Sequence, residues 1–266
     1  MRGAVLRLGE WLGALAWLLG VRRRVALDGL GRAFPALPEA ERRRIGHASY
    51  RQLGRSLAEL VLRLPDPEVR TTVRFEGWEI YQRALAQGHG VVFAVAHFGN
   101  FELLARAAVL DGMKLTVIVR TLRDAVGRWL VKGRTRAGVR LLPERGSSRE
   151  AVAVLRRGEV LAIVVDQNMR PSRGIFVDFF GVEACTTPAA AVFALRAGAP
   201  IMAAFPVRQP DGTHVVHFRG PFATPLSGHA AGEDLTRQLT RAVEQEVRKP
   251  PDHWFWVHRR WKTRPE

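Results

Sequence analysis

From Val73 onward, short β-branched runs alternate with helical patterns, and this alternation limits what the chain can fold into more than any other feature. Strand-like runs fall at 90–96, 115–120, 160–166, 175–180, 201–207 and 214–219, with helical patterns at 78–87, 102–110, 124–137, 149–157 and 188–197 between them. Gln209-Pro210-Asp211-Gly212 separates the last two runs, a turn signal that predicts a hairpin. Leu235, Leu239, Val243 and Val247 recur every four residues, so a closing helix is expected over 232–248. The pattern predicts an α/β fold: a single domain with a mixed, mostly parallel central sheet flanked by helices.

Ahead of it, residues 1–70 read as a helical region of different character, which divides the chain into 1–70 and a catalytic 71–266. The segment MRGAVLRLGEWLGALAWLLGVRRR has a basic start, an apolar run and a basic end. The run Trp11 to Val21 is short for a span, which needs about 20 apolar residues, and it leads into Arg22-Arg23-Arg24 without a small-residue cleavage site. A membrane-associating helix in the plane of the interface fits this pattern; a core helix is the plainer alternative. Between prolines at 35–38 and 65–67, Ile45, Leu53, Leu57, Leu60 and Leu64 mark a further amphipathic helix.

Charge narrows the partners. The 41 Lys+Arg against 25 Asp+Glu give +16, and 37 of the cations are Arg, a bias that genome composition contributes to. A basic surface faces nucleic acid, an anionic membrane or an acidic protein. Aromatics interleaved with Arg along one sheet face, the mark of nucleic-acid binders, are not apparent in the sequence. The lone Cys185 reads as a small buried hydrophobe.

Chemistry concentrates in VVFAVAHFGNFE, residues 91–102. An apolar strand ends at His97, Gly99 and Asn100 make a turn, and Glu102 enters the next helix. The carboxyl ends of parallel strands are where α/β sheets open their crevices. On one continuous helix, side chains five apart diverge, so His97 and Glu102 meet only through the Gly99-Asn100 turn. A histidine oriented by a carboxylate is a general base. The bare spacing recurs as His229 with Asp234 in a polar loop, so position in the fold, rather than pattern, singles out His97.

With RRRVALDGLGRAFPALPEAERRRI, GVVFAVAHFGNFE, VIVRTLRD, LRRGEVLAIVVDQNMRPSRGIFVDFFGVEACTTPAA and WFWVHRRWKTRPE, the chain resembles the bacterial lipid A biosynthesis acyltransferases over nearly its whole length. The resemblance implies a glycerol-3-phosphate acyltransferase-like fold and transfer of a fatty acyl group from a thioester, on acyl carrier protein or coenzyme A, to a hydroxyl of an anionic glycolipid. It places the work at the cytoplasmic face of the inner membrane, without a metal or organic cofactor, since the thioester is already activated, and without nucleic acid. It makes His97 the base and Glu102 its orienter. Arg120 falls at a position used near the reacting groups, Asp166 would pair Arg120 or bind acceptor, and Arg173 would meet a phosphate; Gly99 and Asn100 line the same site. The indoles and cations of WFWVHRRW suit a membrane interface or, alternatively, cation–π packing inside the domain.

Overall fold

The computed structural model describes residues 2–120 and 124–265; Thr121–Arg123, within the stretch VIVRTLRD, lie outside the described residues. Helices α1 (Arg2–Leu18), α2 (Arg23–Ala33), α3 (Glu39–Leu62) and α4 (Asp66–Thr72) precede strand β1 (Val73–Glu76) and α5 (Trp78–Leu85). Strand β2 (Val91–Val95), α6 (Phe101–Leu110), β3 (Leu115–Val119), α7 (Ala125–Arg136), β4 (Arg140–Pro143), α8 (Ser148–Arg156) and β5 (Val160–Val164) follow. The chain continues through β6 (Ile175–Phe179), β7 (Val182–Thr186), α9 (Ala189–Ala197), β8 (Ile201–Arg208), β9 (His214–Phe222) and α10 (Gly228–Arg248).

Seven strands form one sheet in the order β1-β9-β8-β2-β5-β3-β4, parallel throughout except for the β8–β9 hairpin. The expected α/β architecture with a mostly parallel, mixed sheet is therefore present. Three strands escape the sequence pattern: β1, β4 and β7 have four or five residues each, too short to show a period. The run at 175–180 does not join the central sheet; β6 pairs β7 in a separate antiparallel hairpin. Its two-residue turn has φ of 61° at Phe180 and 75° at Gly181, the handedness that suits the twist of the flanking strands.

Alternate residues of the central strands feed two cores. Val92, Ala94, Leu161, Ile163, Ile201 and Ala203 face α8, α9 and α10, while Val91, Phe93, Val160, Ala162, Met202 and Ala204 face α5 and α6. Buried on both faces, these strands read as continuous apolar runs. Trp17, Ala26 and Leu30 of the N-terminal helices join the first core.

Helix α3 departs from its expected stripe. Its buried face is Ile45, Gly46, Ser49, Tyr50, Gly54, Ala58 and Glu59, while Leu57 and Val61 are exposed. The reason is α1, which crosses so closely that a Cβ on Gly13 would lie 2.1 Å from the Tyr50 carbonyl oxygen and one on Gly54 2.0 Å from that of Gly9. Small residues win the buried face because the two backbones touch. No single described helix is long and apolar enough to cross a membrane; α1 and α2 pass that test only as a pair, bent by 87° at their break.

Candidate active site

In-register pairing of β2 with β5 sets Val95 beside Val164, so both strands end together and the residues two positions beyond, His97 and Asp166, meet over the same edge. His97 Nδ1 lies 2.9 Å from Asp166 Oδ1, and the His97 backbone N–H donates to Asp166 Oδ2 at 2.9 Å. Asp166 Oδ2 also accepts the Trp254 indole N–H at 2.8 Å. Both oxygens of the buried Asp166 are thus engaged by His97 and Trp254, where pairing with Arg120 was one expectation.

Glu102, expected to orient His97, bonds elsewhere. Asn100 caps α6, accepting the Leu103 N–H at 3.0 Å, and this puts Glu102 in the first turn, where Arg134 of α7 donates its Nε to the carboxylate at 3.0 Å. Phe101 instead stands edge-on to the imidazole, ring centres 5.2 Å apart. Glu102 reaches His97 through its field alone.

Burial opposes the charged form of His97, yet the adjacent Asp166 carboxylate outweighs it, aided by the more distant Glu102, and the imidazole pKa lies above its ordinary value. Asp166 behaves conversely. Its burial favours the neutral acid, but His97 and the Trp254 N–H hold its pKa below the usual carboxylate range. Since Nδ1–H donates to Asp166, Nε2 is the free base, and the Gln167 side-chain nitrogen sits 3.2 Å from it. Gln167 was not legible as a site residue; it follows a strand end, where only the fold shows which way a side chain turns.

His97 opens on a cleft of about 480 Å3, part of it open to solvent, between α3, the 97–101 turn and residues 252–257. Gly99 is required here: its φ is 55°, and a Cβ would lie 1.9 Å from the Pro206 carbonyl oxygen. Asn100, though buried, also lines the cleft, and its Nδ2 donates to Glu59 at 2.7 Å. Glu59 also takes two bonds of 2.6 Å from Arg208, and although burial works against the charge, these bonds hold its pKa at about 2. Arg120 is exposed at the end of β3, and Arg173 is bound to Glu144 at 2.8 Å, outside the His97 cleft lining.

The C-terminal indoles pack inward. Trp254, Trp256 and Trp261 are buried, and Arg260 lies 5.2 Å over the Phe179 ring, so the interior cation–π alternative holds for this segment. Burial lowers the Arg260 pKa to about 10, outweighing the opposing field of Asp166. Desolvation first, then the nearby charges of Arg260 and Arg22, lower the half-buried His258 to about 4, and it accepts the Asn168 N–H at 2.9 Å as a neutral ring.

The model of the bacterial lipid A biosynthesis acyltransferases matches residues 2–263. The chain is 30% identical to the lipid A biosynthesis lauroyltransferase of Escherichia coli K12 over 268 residues, covering 98% of this chain and 86% of that one. It is 29% identical to the palmitoleoyltransferase of the same organism, covering 97% and 85%, and 28% identical to the myristoyltransferase, covering 97% and 80%. With the match running across every element that builds the His97 cleft, the chain belongs to the bacterial lipid A biosynthesis acyltransferase family and is an acyltransferase.

Proposed function

We propose that the protein moves a fatty acyl chain from a thioester, carried by acyl carrier protein or coenzyme A, to a hydroxyl of a lipid A precursor, with His97 as general base and Asp166 as its orienter. The observation that carries the assignment of roles is the 2.9 Å bond from His97 Nδ1 to Asp166, which leaves Nε2 to take a proton. The acceptor hydroxyl gives that proton to Nε2 as its oxygen attacks the thioester carbonyl carbon. The tetrahedral intermediate then expels the thiolate, the C–S bond breaks, and the imidazolium returns its proton to sulfur. Asp166 stabilises the imidazolium without accepting the proton. Glu102 neutralises Arg134, which would otherwise place a lone cation beside the ring and disfavour its protonation. Arg120, exposed at the end of β3, is suited to a substrate phosphate; Arg173 would need to leave Glu144 to do the same.

The chain's two expected parts divide the labour: residues 1–70 face the cytoplasmic side of the inner membrane and residues 71–266 carry the chemistry. Support comes from α1, whose Leu8, Trp11, Leu12 and Leu18 are exposed on one side of the helix, with exposed Leu19, Arg22 and Arg24 following. A thioester hydrolase would use the same base with water, and product formation without acceptor identifies it.

The test is Asp166→Asn assayed with lauroyl-acyl carrier protein and a lipid A precursor. A fall in kcat of about 100-fold or more is expected, comparable to His97→Ala, because the ring loses its orienter. Wild-type turnover by Asp166→Asn overturns the assignment.

A further inference from the structure

We propose that Trp254 is a positioning residue for the acyl transfer: its indole N–H fixes the Asp166 carboxylate so that the other oxygen meets His97, within a C-terminal strap that braces both members of the pair. The inference rests on the reading of His97 and Asp166 as base and orienter.

Three donors serve two oxygens. Oδ1 is committed to the imidazole, whereas Oδ2 receives the His97 backbone N–H and the Trp254 indole N–H. Without Trp254, every bond to Asp166 comes from residue 97 itself, and nothing independent of that residue sets the carboxylate plane. The indole is an external reference because it cannot rotate. Its ring is wedged edge-on against Trp256 at 4.6 Å and Phe179 at 5.4 Å, and it is 3% exposed.

The backbone around it grips the histidine turn. Gly99 N–H donates to His253 O at 2.8 Å, and Phe255 N–H donates to His97 O at 3.0 Å, so residues 253 and 255 bracket His97 as Trp254 reaches Asp166. Farther on, Thr263 N–H donates to Asn168 Oδ1 at 2.9 Å, and Arg260 donates to Cys185 O at 2.8 Å. One segment, residues 253–263, thus fixes the loop after β2 and the loop after β5 relative to each other.

Deleting the indole N–H makes the Asp166 carboxylate more basic, so the imidazolium is held more tightly and the base must be freed at higher pH. The other charged or titratable groups around the pair are Glu102 and Arg134 from α6 and α7, Asp252 and His253 beside the turn, His258 and Arg260 from the strap, and Arg22 near His258. None of them changes in Trp254→Phe, so a displaced acid limb reports the lost bond.

The experiment measures pH profiles of kcat/KM for the full chain with lauroyl-acyl carrier protein and a lipid A precursor, comparing wild type, Trp254→Phe, Trp78→Phe and Asp166→Asn. Trp254→Phe keeps an aromatic wedge. It is expected to lower kcat about ten-fold with KM unchanged, and to raise the acid limb by about half a pH unit. Trp78→Phe alters an indole packed on Tyr81 and Phe218 in the other core, away from the strap, and should leave the limb in place. A Trp254→Phe profile matching wild type in kcat and acid limb overturns the positioning role, while loss of activity in Asp166→Asn still upholds the base and orienter. Full activity in Asp166→Asn would instead overturn the underlying reading. Should Trp254→Phe not fold, 3-benzothienylalanine at position 254, which keeps the two fused rings without the N–H, reads the same quantities.

Discussion

At the scale of single residues, the proposed mechanism has the partner of His97 decide when the enzyme works. A general base must be neutral to act, and burial, which favours the neutral ring, is outweighed here by the adjacent Asp166 carboxylate. The acid limb of kcat/KM is therefore expected above the ordinary histidine value of about 6.5, with activity rising as pH passes it. In Asp166→Asn the limb should drop below the wild-type position, because burial then acts against a weaker opposition; a pH titration of residual activity measures both. His97 was legible in the sequence because it ends an apolar strand before a turn. Its partner was not, for a physical reason: His97 meets whatever ends the neighbouring strand, and β2 has β5 beside it rather than β3, which follows it in the chain. Strand order depends on how helices cover the sheet, and periodicity carries no record of that. Glu102 was within sequence reach of His97 and yet turned to Arg134, 32 residues away.

At the scale of elements, α3 contributes more than a cover. It carries Glu59, which joins Arg208 of β8 to Asn100 at the start of α6 and so ties three elements together behind the catalytic turn. Glu59→Ala is expected to cost about 3–5 kcal/mol in denaturant unfolding, since it strands the buried Arg208 cation. Replacing both by Leu should recover much of that loss, because neither charge is then left unpaired. The depressed pKa gives a second expectation. A carboxyl with a folded value of about 2 against an ordinary 4.5 stabilises the fold fully above the latter and loses that contribution as pH falls between them. Unfolding in that acid window should be weaker in the double Leu variant than in wild type. The strands of five or more residues that cross the middle of the sheet were legible as apolar runs. The edge strands β1 and β4 were not, and α3 misled because Leu57 lies outside and Leu53 and Leu60 only half inside, while Gly46 and Gly54 are buried.

At the scale of the molecule, the +16 is distributed between surface and interior. Arg208 and Arg260 are buried, and Arg51 and Arg55 are bound to Glu10, so these cations serve packing rather than an external partner. The end of α1 carries exposed apolar side chains, on which the proposed membrane contact rests: Leu18 and the following Leu19 are 69% and 73% exposed. Leu18→Ser with Leu19→Ser should weaken binding to anionic phospholipid vesicles by roughly 100-fold at an unchanged melting temperature, taking about 1.5 kcal/mol or more for each leucine. Sedimentation with vesicles measures this, and raised salt should weaken the remaining attraction through the arginines. The strap that completes the catalytic pair also sets a timetable for the protein's own synthesis. Trp254 is made 88 residues after Asp166, and Thr263 95 residues after Asn168. A growing chain can lay down β2, α6 and β5 and bring His97 near Asp166, but the second carboxylate oxygen has only the His97 backbone N–H as donor until residue 254 has emerged. Ribosome-bound chains shorter than that have the sheet without the lock, and full acyl-transfer activity is expected only when synthesis has passed Trp254.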